Sequence, residues 1–170
     1  MSMITSSQTI GPFSHEAWQW AATPGAAAPA GAACITVGGT LYDGDGVPVG
    51  DAQIEAWQPA AAGAEAAAAM PGFRRVPSGD AGQFSLCLSA VARAPGEPLA
   101  YITVFARGLV KHQFCAVFLA DDAGLAASTI LEQLPPARRA TLLASRDANG
   151  GYRWDIRLQG ERETVFFDYV

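Results

Sequence analysis

The sequence predicts an all-β chain, folded as an antiparallel β-sandwich with an extended N-terminal arm and one short helix. Two segments show strict alternation: Phe84, Leu86 and Leu88 against Ser85, Cys87 and Ser89, and Tyr152, Trp154, Ile156 and Leu158 against Arg153, Asp155, Arg157 and Gln159. A period of two marks a strand with one buried face. Turn formers are plentiful, with 18 Gly and 11 Pro in 170 residues. They divide the chain into about seven short strands, the spacing of an antiparallel sandwich. Half of the residues are apolar and 16% are charged, a composition that folds rather than stays disordered. The length suits one domain over residues 1–170, with 1–33 as arm and linker.

Residues 1–33 lack a strong period. They run from a Ser/Thr-rich start through Thr9-Ile10-Gly11-Pro12-Phe13 into an Ala/Pro/Gly-rich stretch at 22–33. Such an arm is idle in a monomer and gains a purpose when it lies on another chain. Ile35 to Tyr42 reads as a strand, Asp43-Gly44-Asp45-Gly46 as a turn, and Ala52 to Trp57 as a second strand. Residues 60–71 are nearly all Ala. Composition favours a helix there and the position between strands favours an elaborated loop, so both readings stand. Asp80-Ala81-Gly82 turns into the strand Phe84–Ser89. Tyr101–Ala106 and Phe114–Ala120 are two further strands, joined by a loop with Arg107, Gly108, Lys111 and His112. Residues 126–146 form the helical candidate, with Pro135-Pro136 opening its second half, where a first turn tolerates proline. Tyr152–Gln159 and Thr164–Tyr169 close the chain as strands.

The net charge of −5 supplies neither a basic footprint for nucleic acid nor a polybasic membrane anchor. No apolar run reaches the roughly 18 residues of a membrane span. Met1–Gln8 lacks the cationic and apolar regions of a signal peptide. Cys34, Cys87 and Cys115 are odd in number and widely spaced, and read as buried free thiols in a reducing compartment, the cytoplasm. The chain has no GxSxG elbow, no P-loop and no GxGxxG after a strand. The two histidines, His15 and His112, are too few and too far apart for a His-rich metal site. Asp43–Gly46 lacks the rest of a calcium loop. The residues alone therefore describe a β-sandwich without a self-contained active site, and a binding module fits that description equally well.

Four segments go further. They are Ser7-Gln8-Thr9-Ile10-Gly11-Pro12-Phe13; Gly39 to Gly46 leading to Ile54-Glu55-Ala56-Trp57-Gln58; Val104-Phe105-Ala106-Arg107-Gly108-Leu109; and Arg138 to Ala144 followed by Asp155–Glu161 and Glu163–Asp168. Together they cover most of residues 6–170 and resemble the intradiol ring-cleavage dioxygenases, in particular their α-type subunit. In that family the catalytic chain holds a non-haem ferric ion through two Tyr and two His. Here Tyr101 and Thr103 stand where the histidines belong, and Pro98 where an arginine belongs. Glu65 falls near the first ligand tyrosine, and the second is lost between Ala90 and Pro98. The resemblance thus implies no metal in this chain. It implies an Fe3+-binding β subunit of the same fold as partner, αβ pairs gathered into a larger symmetric oligomer, and cleavage of 3,4-dihydroxybenzoate with O2. It further implies that Thr9, Gly11, Pro12 and Phe13 wall the substrate cavity of the partner, and that Arg107 approaches it as a catalytic residue. Phe13 stands where many members carry Tyr, and residues 60–97 are shorter than the family's usual length.

Overall fold

The computed structural model describes residues 33–168, apart from 60–62, 64, 65, 67, 69 and 91. Nine strands form among the described residues: β1 (Cys34–Tyr42), β2 (Gln53–Trp57), β3 (Phe73–Pro77), β4 (Gln83–Ser89), β5 (Ala100–Phe105), β6 (Gln113–Leu119), β7 (Leu143–Arg146), β8 (Tyr152–Arg153) and β9 (Ile156–Arg157), the last two standing where the sequence predicts one strand over Tyr152–Gln159. They form one sheet in the order β3-β2-β5-β6-β7-β8-β1-β4, with β9 also on β1. The long pairs, β1–β4, β2–β3, β2–β5 and β5–β6, are antiparallel. The short pairs β1–β8, β1–β9 and β6–β7 are parallel, so the sheet is mixed.

The ends of this order meet. Arg74 on β3 is buried and donates from Nε to the Cys87 carbonyl of β4 at 2.9 Å and from Nη2 to Ser89 Oγ at 3.2 Å. The sheet therefore nearly closes on itself around a single apolar core. Leu41, Ile54, Leu86, Leu88, Ile102, Phe118, Leu142 and Ile156 are fully enclosed in it. Each supplies about 1.5–3 kcal/mol of burial.

Gln58, the residue after β2, reinforces the closure. Its Nε2 donates to the carbonyls of Ser89 and Leu99 at 2.9 and 3.1 Å, and its Oε1 accepts from the Ser89 amide at 2.9 Å. The Trp57-Gln58 pair thus divides by burial: Gln58 ties three strands together inside, and Trp57 is half exposed outside.

Several expectations need correction. The helix over 126–146 is not continuous. It breaks into a 3-10 turn (Leu125–Ala127), α1 (Thr129–Glu132), α2 (Pro136–Arg139), a second 3-10 turn (Ala140–Leu142) and then β7. Ser128 is extended and caps α1, its Oγ accepting from the Leu131 amide, and Pro135 is extended ahead of α2. Leu142 and Ala144 alternate into the core as strand residues do. β3 has no clean alternation in sequence because its inward position carries Arg74. Residues 164–168 form no ladder, although Thr164 and Val165 are buried and the Phe167 amide donates to the Phe114 carbonyl at 2.7 Å.

The cysteine reading also changes. Cys34 and Cys87 form a disulfide across β1 and β4. The register pairs Thr36 with Cys87 and Cys34 with Ser89, which sets the two cysteines diagonally at a Cα–Cα distance of 5.6 Å. A sequence separation of 53 residues hides that proximity. Cys115, on β6, is the buried free thiol the sequence predicts, and burial pushes its ionisation far up.

Candidate functional site

Arg107 is placed by a turn at the end of β5. The Leu109 amide donates to the Ala106 carbonyl at 3.2 Å, and Gly108 takes φ +88°, a left-handed conformation that glycine accepts without cost. β2 and β5 are antiparallel neighbours with Gln53 opposite Phe105, so the entry to β2 lies beside the exit from β5. Asp51 occupies that entry, and its Oδ2 lies 3.0 Å from Arg107 Nε. The Arg107 side chain is 70% exposed. Both residues line an open cavity of about 600 Å³ with Asp43, Val49, Asp80 and Leu158. The sequence names Arg107 as a candidate and gives no sign of its pairing with Asp51, because nothing in a Gly-Asp turn signals which arginine it will face.

Asp43 in this cavity shows what the Asp-Gly-Asp-Gly segment is for. Its Oδ1 accepts from the amides of Asp45 and Val47 at 3.0 and 2.8 Å, so its carboxylate closes a turn. The remaining site expectations, Thr9, Gly11, Pro12 and Phe13, lie outside the described residues, as does Glu65.

A second cluster covers the outer face of the sheet. On β5, Ala100, Ile102 and Val104 are buried, while Tyr101, Thr103 and Phe105 face outward. The Tyr101 ring stacks on Phe114 at 5.8 Å between centroids and tilts against Trp57 at 6.2 Å, and Phe114 meets Phe167 edge-on at 6.1 Å. Opposite Thr103 stands Glu55, whose Oε1 accepts from Arg75 Nε at 2.8 Å. Tyr101, Leu134, Val165 and Phe167 border an open cavity of about 470 Å³ on this face.

Other polar residues singled out by the sequence have structural tasks. Asp122 accepts from Arg93, Gly96 and Gly124 and so fixes two loops. Asp121 accepts from Arg146 at 2.7 Å and from the Tyr152 hydroxyl at 3.0 Å. Desolvation opposes ionisation of Asp121, but the hydrogen bonds from Arg146 and Tyr152 outweigh it and hold the carboxyl below its usual range. Desolvation, then the hydrogen bond to Asp121, raises the Tyr152 hydroxyl. Arg138 donates to the Glu163 carbonyl at 2.9 Å and Arg139 to the Leu134 carbonyl at 3.0 Å. His112 packs at 5.6 Å from the Phe105 ring.

Solved structures with a similar fold include dioxygenases. The dioxygenase domain of a dioxygenase–carbohydrate-binding protein fusion from Streptomyces sp. SirexAA-E superposes with a TM-score of 0.56 at 18% identity, covering 76% of this chain and 81% of that one. Hydroxyquinol 1,2-dioxygenase from Pseudomonas putida DLL-E4 gives 0.54 at 14% identity, covering 78% and 58%. At these identities the likeness speaks for the fold. No family model matches the chain. In sequence, the chain is 39% identical over 163 residues to the protocatechuate 3,4-dioxygenase alpha chain of Burkholderia cepacia, covering 86% of this chain and 83% of that one. It is 36% identical over 199 aligned positions to the protocatechuate 3,4-dioxygenase alpha chain of Pseudomonas putida, covering 97% and 96%. The chain belongs to the protocatechuate 3,4-dioxygenase alpha-chain family.

For an alpha chain of this family, the fit of a ferric ion on the outer face of β5 can be judged from its donors. A hard trivalent ion needs several anionic oxygen or imidazole ligands converging on one point. Tyr101 supplies one phenol, but its ring is packed against Phe114 and Trp57. Thr103 supplies a neutral hydroxyl, and the nearest carboxylate across the strand pair, Glu55, is committed to Arg75. These residues do not fit the ion.

Proposed function

We propose that this chain is the alpha subunit of a heteromeric protocatechuate 3,4-dioxygenase and that it completes an active site on a β subunit. That partner carries the Fe3+. The reaction joins 3,4-dihydroxybenzoate with O2, breaks the bond between the two hydroxylated carbons, and places both oxygen atoms in 3-carboxy-cis,cis-muconate. The ferric ion supplies the activation of the catechol and of O2. The single domain over residues 1–170 supplies shape, charge and exclusion of water, working in the cytoplasm.

The observation that carries this reading is the chemistry of β5. The strand that bears metal ligands in the catalytic chains of the family presents Tyr101 and Thr103 here, among rings and a neutralised carboxylate. Two alpha-chain relatives over most of the length support the same division of labour. Within it, Arg107 is the residue of this chain that stabilises negative charge on the substrate carboxylate or on the ring as it reacts. Thr9, Gly11, Pro12 and Phe13 wall the pocket, where a Gly-Pro corner brings backbone close with a fixed geometry. The αβ pairs assemble into a higher oligomer.

The test is iron content and protocatechuate-dependent O2 uptake, measured for this chain alone and for this chain co-expressed with a β chain bearing the two-Tyr, two-His pattern. The expected result is iron and activity in the co-purified pair alone. Stoichiometric iron and O2 uptake in the lone chain would overturn the assignment of the metal. Absence of any stable pair would overturn the subunit reading.

A further inference from the structure

We propose that the Cys34–Cys87 disulfide is a thiol-exchange site that takes a low-molecular-weight thiol at Cys34, releases Cys87, and thereby governs how firmly the Ala33–Ala90 end of the β1–β4 ladder is held. Three observations carry this. The first is position. Cys34 begins β1, and beyond it the β1–β4 ladder continues by one bond, from the Ala90 amide to the Ala33 carbonyl at 2.9 Å. The disulfide is thus a diagonal covalent clamp beside the end of that ladder. The seven register pairs of β1 and β4 already hold the rest of the two strands together.

The second observation is access. Cys34 is exposed and Cys87 is half buried. Cys34 also lines an open cavity of about 680 Å³ with Arg146, Asp147, Asn149, Gly151 and Tyr152. A small thiol entering from solvent reaches the Cys34 sulfur through that cavity. Exposed disulfides are the labile ones, and the sulfur that can be reached decides the regiochemistry of exchange.

The third observation is contrast. Cys115 is fully buried and its thiol is held in the protonated form, so it takes no part. The chain therefore contains its own unreactive control.

The chemistry balances with the thiol as reductant. A thiolate RS⁻ attacks Cys34 Sγ, the Cys34–Cys87 bond breaks, Cys34–S–S–R forms, and Cys87 leaves as thiolate. A second RS⁻ attacks the outer sulfur of that mixed disulfide and gives RSSR with a Cys34 thiolate. Two thiols are oxidised to one disulfide and the protein disulfide is reduced by two electrons. The reverse sequence, starting from RSSR, restores the clamp.

The experiment treats the co-purified αβ enzyme, oxidised in air, with glutathione, and traps it with iodoacetamide before peptide mass mapping. The expected result is an early glutathione adduct on Cys34, then alkylation of both Cys34 and Cys87, with Cys115 labelled only after denaturation. Backbone hydrogen exchange in the peptide around Ala90 should quicken by roughly tenfold on reduction, since a terminal rung then opens freely. Three free thiols in the air-oxidised enzyme, a first adduct on Cys87, or unchanged exchange at Ala90 would each overturn the proposal.

Discussion

The Arg107 guanidinium lies 3.0 Å from the Asp51 carboxylate in the lining of one open cavity, although 56 positions separate the two in the chain. An exposed ion pair of this kind adds little to stability. A carboxylate on one edge of the guanidinium leaves the other edge free to turn toward an anion, the task that the proposed function assigns to Arg107. Replacing Arg107 with Ala in the assembled enzyme should lower kcat/KM about tenfold or more, and Arg107→Lys should recover part of that loss. Asp51→Asn should change the unfolding free energy by less than about 1 kcal/mol. Oxygen-uptake kinetics together with denaturant unfolding check both. Unchanged kinetics for Arg107→Ala with intact assembly would remove Arg107 from the site.

Gln58 carries a structural role that its place in a family signature does not reveal. Gln58→Leu removes hydrogen bonds to the amide and carbonyl of Ser89 and to the Leu99 carbonyl in a buried setting. The expected loss is about 2–4 kcal/mol of stability. Gln58→Glu should be at least as damaging, since it sets an acceptor against two carbonyls. Urea unfolding of the purified chain measures both.

Two adjacent glycines of β1 should respond differently to the same change. A Cβ at Gly39 would stand 1.8 Å from the Trp154 carbonyl oxygen and 3.1 Å from the Phe84 ring, whereas one at Gly38 meets the Phe84 carbonyl oxygen at an ordinary 3.5 Å. Gly39→Ala should cost about 2–3 kcal/mol, and Gly38→Ala less than about 1 kcal/mol. A thermal melt of each variant decides it, and equal shifts would contradict the close approach of β1 to Trp154.

The Asp121–Tyr152–Arg146 cluster predicts the pH dependence of stability. Asp121 is held below its usual range in the folded protein, so its contribution is present above about pH 4 and is lost as pH falls through the lowered folded value. Tyr152 is raised, so its contribution is present below about pH 10 and is lost as pH climbs further. The stability gap between the native chain and Asp121→Asn should therefore narrow in acid. The gap to Tyr152→Phe should narrow in strong base. Unfolding curves at pH 3, 7 and 10.5 read this directly, the end values standing about one-half to one unit beyond the unperturbed carboxyl and phenol ranges.

By itself the sequence determined the strand-rich class, the positions of β1, β2, β4, β5 and β6, and the inward faces of Phe84–Leu88 and Tyr152–Ile156. The reason is local: a pleated strand with one dry face must alternate, and the alternation survives in one dimension. It also named Arg107 just past β5, and Tyr101 and Thr103 on it, since residue identity needs no coordinates. What depended on pairing stayed hidden. β3 was invisible because an inward position holds Arg74, whose guanidinium is satisfied by the Phe73 carbonyl and by Cys87 and Ser89 on β4. The segment 126–146 read as one helix because good helix formers say nothing of the extended backbone at Ser128 and Pro135, or of a β6 edge that draws Leu143–Arg146 into a strand. The Cys34–Cys87 bond, the Arg107–Asp51 pair and the buried bridge made by Gln58 all join residues far apart in the chain. Such contacts are decided by register and sheet order, and those are settled only when the strands meet and the sheet closes over one core.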